Sequence, residues 1–377
     1  MTGPLQGLRI IEMAGIGPGP FACMMLADHG ADVIRVERMP PGERTPGDAA
    51  NVLLRSRRTL SVDMTSPDGV AVIRDLCRSA DGLVEGFRPG VMERRGLGPD
   101  LLLSDNPKLV YGRMTGWGQD GPYAREAGHD INYIALSGTL HALGRAGDKP
   151  TPPINLVGDF GGGGMVLAFG MVAALLHARA TGQGQVVDCA MTDGSALLMS
   201  MIWSFRAQGM WQDQRGVNLL DGGAPFYDTY ETADGGYISL GSIEPVFYGN
   251  LLCALGLTDD PDFTHQMDPA HWPRMKQRLV TIIRQRTRQE WCQLLEGHDI
   301  CFAPVLSMAE AVDHPHNRAR GAFIAIDGVT QPAPAPRFSH TPPAPPRPLQ
   351  SQASTILAGI GYDDARVAAL RDAGIIG

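Results

Sequence analysis

Short apolar runs rich in β-branched residues alternate with longer helix-like stretches through the N-terminal half of the chain. The first such unit joins GLRIIEM (7–13), PFACMMLADHGA (20–31) and DVIRVE (32–37) in a β-α-β pattern. The rhythm continues, with helical segments between most of the runs, through TLSVDM, GLVEGF, LVYGRMTGWG and VVDCAM. This pattern predicts an α/β fold with a doubly wound, mostly parallel sheet, in which ligands bind at the carboxyl ends of the strands.

The C-terminal half has a different pattern. Two long helices are predicted over 164–178 and 192–205, and YDTYETADGGYISLGSI (227–243) then predicts two strands joined by a hairpin turn. Helices with capping boxes follow, and the proline-rich segment 331–350 is expected to carry the chain back to the first domain before a last helix near 362–373. The capping boxes pair Thr287 with Glu290 and Ser307 with Glu310.

The length of the chain sets the expected number of domains. A chain of 377 residues with 44% hydrophobic content can bury more than one core. Together with the patterns above, this predicts a large α/β domain with a mostly parallel sheet from 1–200 and 330–377, a linker at 201–225, and a smaller α+β domain at 226–329.

Charge and cysteine content exclude several classes of protein. The formal charge of -8 disfavours a nucleic-acid or anionic-membrane partner, because both need a dominant basic surface. The six cysteines form no C-x-x-C pair, which indicates reduced thiols rather than a disulfide framework or a metal site. We find no signal-peptide pattern and no run of about 18 apolar residues, so we expect a cytoplasmic protein.

The GIGPGP segment (15–20) after the first strand imitates a dinucleotide-binding loop. Its glycines lack the fingerprint spacing, and Pro18 and Pro20 remove two backbone N–H donors that a pyrophosphate would need. We interpret the segment as a tight strand-to-helix turn and expect no nicotinamide or flavin cofactor.

Arginines cluster at the predicted strand ends of this acidic chain. They are Arg38, Arg55, Arg57, Arg58, Arg88 and Arg94. Cationic groups at successive strand ends indicate a phosphorylated ligand, although each single residue could equally be a solvated surface arginine.

Three further positions carry candidate acid/base groups. His129 follows a glycine and a strand-end turn, and Asp130 is placed to cap the next helix, although a histidine with both nitrogens satisfied is the plain structural alternative. Asp159 precedes four glycines that permit close approach, and the N-terminus of the following helix should stabilise its ionised form. Glu244 stands at a strand end before Pro245, where it could simply begin a helix.

Long motifs distributed over essentially the whole chain resemble the α-methylacyl-CoA racemases, a branch of the family III (CaiB/BaiF) coenzyme A transferases. The motifs are GIGPGP, DVIRVER, EGFRPGVMERRGLGP, RMTGWGQDGP, AGHDINY, NLVGDFGGGGM and DGGAPFYDTY. The resemblance implies a Rossmann-like large domain, closed by the C-terminal segment, and a small domain. It also implies an interlocked homodimer with active sites shared between the large domain of one chain and the small domain of the other.

The resemblance also implies roles for individual residues. His129 and Asp159 match the acid/base pair of the family, Glu244 matches the glutamate that partners the histidine, and Asp130 is included among the catalytic positions. The positions expected to hold the coenzyme A portion of the substrate are Arg38, Val62, Asp63, Met64, Thr65, Gly86, Phe87, Arg88, Arg94, Gly128, Ile131, Asn132 and Tyr133. Where many members read D-L-K, this chain reads Asp63-Met64-Thr65, so one basic contact to the nucleotide is in doubt.

The predicted reaction is the interconversion of (R)- and (S)-2-methylacyl-CoA thioesters by proton transfer through an enolate, with no metal or redox cofactor. Two acid/base groups of different type, one on each face of the α-carbon, suit this chemistry. The first alternative is a CoA transferase in which Asp159 attacks the thioester as a nucleophile. The second is a non-catalytic acyl-CoA-binding scaffold. The acyl group stays open, because an apolar pocket discriminates chain length by only about 1 to 3 kcal/mol per methylene.

Overall fold

The computed structural model describes residues 2–39 and 50–377. The described chain divides into two compact units, one drawn from 1–137, 154–199 and 321–377 and the other from 138–153 and 200–320. These bounds differ from the predicted ones at three places, one of which is 321–329, predicted in the smaller domain but part of the first unit. The segment predicted to be a linker, 201–225, lies in the second unit, and so does 138–153, which interrupts the first unit along the chain.

The described residues contain twelve β-strands. They are β1 (Arg9–Met13), β2 (Asp32–Arg38), β3 (Arg58–Val62), β4 (Gly82–Glu85), β5 (Val110–Thr115), β6 (Val186–Ala190), β7 (Tyr227–Glu231), β8 (Tyr237–Gly241), β9 (Phe302–Val305), β10 (Phe323–Ile326), β11 (Val329–Pro332) and β12 (Gln350–Ser351).

Helices connect most of these strands. The α-helices are α1 (Pro18–Asp28), α2 (Pro67–Arg78), α3 (Val91–Arg94), α4 (Pro99–Asp105), α5 (Asp130–Leu136), α6 (Thr139–Ala142), α7 (Val166–Thr181), α8 (Met191–Leu198), α9 (Ser200–Ala207), α10 (Pro245–Leu255), α11 (Trp272–Ile283), α12 (Arg288–Leu295), α13 (Met308–Asp313), α14 (Pro315–Arg320), α15 (Ala353–Ala358) and α16 (Asp364–Asp372). A π-helix covers Leu156–Met165, and short 3₁₀ helices cover Val52–Leu54 and Pro261–Phe263.

A seven-stranded sheet forms the centre of the first unit, in the order β12-β3-β2-β1-β4-β5-β6. Every neighbouring pair is parallel, which confirms the predicted α/β sheet and its six predicted strands. The edge strand β12 pairs with β3, so the proline-rich segment does return the chain to the first unit, as predicted. Parallel pairing places the carboxyl ends of the strands at one edge of the sheet, where ligands bind in such folds.

Both faces of this sheet are covered, as the near-continuous apolar runs of its strands require. Ile11 and Met13 of β1 face a core that includes Ile73 and Leu76 of α2. Ile10 of the same strand faces the opposite core, which is closed by residues of α1 and α7. The alternation of successive residues between the two cores follows from the two-residue period of a strand.

The two long predicted helices differ in the structure. The helix predicted at 164–178 is α7, but the π-helix precedes it, so that one continuous helix runs from 156 to 181. This helix is long and apolar enough to cross a membrane by length and composition, with 44% of its most apolar window buried in the protein. The expectation of no such segment was therefore wrong for length and composition. It was made because Asp159 and the glycines interrupt the apolar run in the sequence. The second predicted helix is broken between α8 and α9 at Met199.

The second unit contains a three-stranded antiparallel sheet in the order β7-β8-β9. The β7-β8 hairpin confirms the predicted turn, and both predicted capping boxes are present at the starts of α12 and α13. Its core includes Phe226 and Trp291, both fully buried. The antiparallel pair β10-β11 lies within the segment that belongs to the first unit and was not predicted.

Candidate active site

A cavity of about 880 Å³ opens at the carboxyl edge of the parallel sheet in the first unit. Its wall includes the last residues of three strands, namely Met13 of β1, Glu85 of β4 and Thr115 of β5. The GIGPGP turn between β1 and α1, His129 and Asp159 also line this cavity. Strand-end side chains and the two predicted acid/base groups therefore face one space, as expected for a ligand site in an open α/β sheet.

His129 is the N-cap residue of α5, with an extended backbone conformation. Its backbone N–H donates a 3.0 Å hydrogen bond to the Asn132 side-chain oxygen, while its imidazole is exposed. Behind it, a side chain at Gly128 would meet the Tyr133 ring at 2.7 Å and the Trp117 ring at 2.9 Å. The Tyr133 hydroxyl donates to the Gly128 carbonyl oxygen. The backbone of His129 is thus fixed by its surroundings, and the residue lines the cavity.

Asp159 lies inside the π-helix and is half-buried. Asn155 Nδ2 donates to Asp159 Oδ2 at 3.0 Å, and the backbone N–H of Asp159 donates to Asp130 Oδ1 at 2.7 Å. Burial raises the pKa of the Asp159 carboxyl group above its ordinary value; the Asn155 hydrogen bond opposes this rise, the charge of Asp130 adds to it, and His129 opposes it. Asp159 lies in the first turn of the π-helix rather than before the helix, so it remains near a helix N-terminus, but burial outweighs that influence.

The glycines around Asp159 pack against the protein itself. Gly17 adopts a φ of 66°, and a side chain there would lie 3.2 Å from Asp159 Oδ2. A side chain at Gly162 would meet the backbone of α8 at 2.6 Å, and one at Gly164 would meet the Phe21 ring of α1 at 2.6 Å. The glycine run therefore lets the π-helix pack closely against α1 and α8. The glycines were expected to let a ligand approach the backbone, but in the structure they serve helix packing.

Asp130 is the first residue of α5 and is 6% exposed. The prediction that it caps the helix was wrong, since His129 is the N-cap residue. Its Oδ1 atom instead accepts the backbone N–H of Asp159, and its Oδ2 atom is buried with no hydrogen-bond partner among the described residues. Neither Asp130 nor Ile131 borders the cavity.

The predicted coenzyme A residues fall into two sets. Those that line the cavity are Gly86, Phe87, Arg88, Gly128, Asn132 and Tyr133. Those outside the cavity wall are Arg38, Val62, Asp63, Met64, Thr65, Arg94 and Ile131. Of the second set, Arg38 and Val62 are register partners at the carboxyl ends of β2 and β3, on the same sheet edge as the cavity. Thr65 is exposed, and its backbone N–H and hydroxyl both donate to Asp63 Oδ1, at 2.8 and 2.6 Å.

Glu244 belongs to the second unit. It is an exposed N-cap residue of α10, with Pro245 as the first helical residue, so it does begin a helix. Its partnership with His129 stays a prediction.

Three of the six strand-end arginines belong to ion pairs inside the first unit. The pairs are Arg55 Nε with Asp28 Oδ1 at 3.0 Å, Arg57 Nε with Glu12 Oε2 at 3.1 Å, and Arg58 Nε with Asp32 Oδ1 at 2.9 Å. Arg55 and Arg57 are buried, so the interpretation of these arginines as ligand contacts was wrong. Arg58 is the first residue of β3 and Arg55 and Arg57 precede it, so all three lie at the amino edge of the sheet rather than at the carboxyl edge where the cavity opens.

Sequence reasoning missed a buried polar pair beside the cavity. Glu85 is 1% exposed; its Oε2 accepts the Phe87 backbone N–H at 2.7 Å and its Oε1 accepts Arg113 Nε at 3.1 Å. Burial raises the pKa of Glu85 to about 7, against the lowering effects of the Phe87 hydrogen bond and of Arg113. The available signal was a glutamate at the end of an otherwise apolar strand, next to the predicted Gly86–Arg88 contact segment.

The sequence and the structure are similar to those of characterised proteins over most of their lengths. The chain is 48% identical over 344 residues to the alpha-methylacyl-CoA racemase of Mus musculus, covering 90% of this chain and 88% of that protein. It is 46% identical over 342 residues to the alpha-methylacyl-CoA racemase of Homo sapiens, with the same two coverages. A CAIB/BAIF family protein from Brucella suis has a similar crystal structure, with a TM-score of 0.80 at 25% identity, over 96% of this chain and all of that one.

Residues 5–350 match the CoA-transferase family III. This match covers most of the chain, and the parallel sheet, the cavity at its carboxyl edge and the relatives just described agree with it. The chain belongs to CoA-transferase family III.

Proposed function

We propose that this protein is a racemase that interconverts (R)- and (S)-2-methylacyl-CoA thioesters. One observation carries the proposal: an imidazole and a carboxylate from different elements, His129 and Asp159, line a single cavity and interact electrostatically. Relatives named as alpha-methylacyl-CoA racemases at 46 to 48% identity support the same activity.

Inversion at the α-carbon needs one proton removed and one delivered. One of the two groups takes the α-hydrogen as a proton, and the electron pair left behind is delocalised into the thioester carbonyl as an enolate. The protonated second group then delivers its proton to the opposite face of the α-carbon, which restores the thioester with inverted configuration. Burial keeps the proton affinity of Asp159 above that of an ordinary aspartate, which moves it towards that of an imidazole and favours operation in both directions.

Arginine side chains near the cavity are suited to the phosphates of the coenzyme A portion. Arg88 is exposed and lines the cavity, and Arg94 is an exposed residue of α3 close to it in sequence. The apolar part of the wall, which includes Met13, Phe160 and Met191, is suited to the acyl portion. We propose that coenzyme A enters only as part of the substrate and that the reaction uses no added cofactor.

We also propose that the protein works as a homodimer. Met165, Phe169, Val172 and Leu176 recur at helical spacing from the end of the π-helix along α7, and they are 47, 77, 41 and 71% exposed. An exposed apolar stripe of this size on a helix marks an interaction surface. A second copy of the chain is the partner that the family resemblance implies, and with it a site shared between two chains in which Glu244 assists His129.

The activity is tested with one enantiomer of a 2-methylacyl-CoA and the purified protein in deuterated buffer. We expect loss of optical purity together with exchange of the α-hydrogen for deuterium, without any added acid or cofactor. If turnover appears only when a free carboxylic acid is added, and hydroxylamine traps an acyl-enzyme at Asp159, the chain is a CoA transferase.

The dimer is tested by the mass of the protein in solution with Phe169→Glu. A charge in the middle of the stripe should convert the dimer to a monomer, because it would be desolvated in the interface. Leu101→Glu, at a partly exposed leucine in α4, is the control and should leave the mass unchanged. A wild-type protein that is monomeric at micromolar concentration contradicts the proposal.

A further inference from the structure

The Asp130 carboxylate is buried beside Asp159 and only partly satisfied. Its Oδ1 atom accepts the Asp159 backbone N–H at 2.7 Å, and its Oδ2 atom has no partner among the residues that the structure describes. The space for this carboxylate exists because residue 158 is glycine: a side chain there would lie 2.4 Å from Asp130 Oδ1. Glycine at position 158 thus leaves room for a second carboxylate beside Asp159.

A purely structural role does not account for a carboxylate here. One neutral oxygen would accept the same hydrogen bond, whereas a buried, unpartnered carboxylate oxygen costs free energy. An asparagine would supply the acceptor without the charge. Costly charged groups that persist beside acid/base residues are typical of functional sites.

We propose that Asp130 is a positioning residue that acts on the reaction through Asp159, by one hydrogen bond to its backbone and by its own negative charge. This inference rests on the proposed racemase function. Asp130 does not border the cavity, so it is distinct from the acid/base pair that lines it.

Several charged and titratable groups surround Asp159, and the contribution of the Asp130 charge to its pKa can be distinguished from theirs. From α5, Asp130, Tyr133 and the N-cap residue His129 interact with Asp159, and from the residue before the π-helix Asn155 donates to it. Burial is the largest cause of the raised pKa of Asp159, and the like charge of Asp130 adds to it. Removing only the Asp130 charge should therefore lower the pKa of Asp159.

Removal of the Asp130 charge should affect the two enantiomers differently. With the Asp130 charge removed, Asp159 should be a weaker base that stays ionised to lower pH. Proton abstraction from the enantiomer that faces Asp159 should become slower, and its acid-side inflection should move to lower pH. The profile for the opposite enantiomer is the internal comparison.

The test uses Asp130→Asn, which keeps an oxygen acceptor and removes the charge, and Asp130→Ala, which removes both. The enantiomer that faces Asp159 is identified as the one whose α-deuterium exchange Asp159→Ala impairs more. In Asp130→Asn we expect a rate loss for that enantiomer smaller than the roughly 10²- to 10⁴-fold typical of losing an acid/base group. Its pH profile should shift down, and Asp130→Ala should be slower still.

A direct titration makes the result independent of activity. Carbon-13 NMR of aspartate-labelled protein, with the Asp159 signal assigned through Asp159→Asn, should show a lower pKa for Asp159 in Asp130→Asn than in the wild type. Asp100→Asn, at an exposed first-turn aspartate of α4, is the control and should leave the signal unmoved. If Asp130→Asn does not fold, Asp130→Ser also removes the charge and keeps an oxygen.

Two outcomes overturn the inference: an unchanged Asp159 titration in the charge-free variant, or an equal shift of both enantiomers' profiles. Absence of exchange in the wild type would contradict the racemase function instead. The titration would still decide whether the Asp130 charge acts on Asp159.

Discussion

His129 and Asp159 line the same cavity but are held in different ways. Asp159 is half-buried in a helix, receives a hydrogen bond from Asn155, and has its backbone bonded to Asp130. His129 has a fixed backbone and an exposed ring. The carboxylate side of the site is thus organised by hydrogen bonds within its own unit, and burial there raises the proton affinity of Asp159. The imidazole side is exposed.

Removing His129 or Asp159 should have the largest effect on activity. We expect His129→Ala and Asp159→Ala each to lose roughly 10²- to 10⁴-fold in racemisation rate. Because each base faces one side of the α-carbon, single-turnover deuterium exchange should be lost mainly for one enantiomer in each variant, and for opposite enantiomers. Equal losses for both enantiomers in His129→Ala would rule out face-specific bases.

The arginines differ in the same respect: Arg55 is buried in an ion pair, whereas Arg88 is exposed at the cavity. Arg55→Ala should destabilise the fold by about 3 to 5 kcal/mol, because it leaves the buried Asp28 carboxylate without its partner. Arg88→Ala should leave stability unchanged and raise KM for the thioester substrate more than it lowers kcat, since nucleotide contacts are the same in the ground and transition states. Urea unfolding and steady-state kinetics on both variants check this. A destabilised Arg88→Ala protein with unchanged KM would contradict the assignment.

Gly158→Ala tests the packing around Asp159 without replacing any acid/base group. The added carbon would lie 2.4 Å from Asp130 Oδ1, so the Asp130 carboxylate must move and the Asp159 backbone with it. A displacement of about 1 Å at a catalytic group can cost roughly 10²-fold in rate, and we expect a loss of this order in kcat. Gly249→Ala, in α10 with no atom within 4 Å of the added carbon, is the matched control. Wild-type kcat in Gly158→Ala would show that the close packing at this glycine is not needed.

The smallest predicted effect is a pH dependence of stability from Glu85. Burial raises its pKa to about 7 in the folded state, so its contribution to stability is present below the unfolded pKa and is lost as pH rises through about 7. Glu85→Gln does not titrate. Its stability relative to the wild type should therefore rise by about 1 to 3 kcal/mol between acid and neutral pH. Denaturant unfolding of both proteins across this pH range measures the difference, and a constant difference would contradict the raised pKa.

Local patterns predicted the sheet and the hairpin of the second unit because strand periodicity and turn residues are encoded within a few residues. The same is true of the capping boxes that begin α12 and α13. The π-helix and the break at Met199 were not predicted. The glycines of the π-helix pack against α1 and α8, and a local pattern does not reveal such contacts between distant residues.

The candidate site was predictable to the level of residue types. Motifs identified His129 and Asp159, and the structure places both at one cavity. The sequence did not show that Arg55 pairs with Asp28 or that Asp130 bonds the Asp159 backbone, since these contacts join residues 27 and 29 positions apart. Long-range pairing of charged groups decides which of several equivalent residues is free to bind a ligand.

The π-helix has one further consequence, for insertions and deletions. A π-helix contains more residues per turn than an α-helix, so this segment corresponds to an α-helix with a surplus residue. Deleting one glycine from 161–164 would remove this surplus, so the wide π-helical turn would close to α-helical geometry while the residues before it, Asp159 included, keep their direction relative to α7. A single-codon deletion in this run should therefore disturb the carboxylate less than a side chain at Gly162 or Gly164, which would meet neighbouring atoms at 2.6 Å.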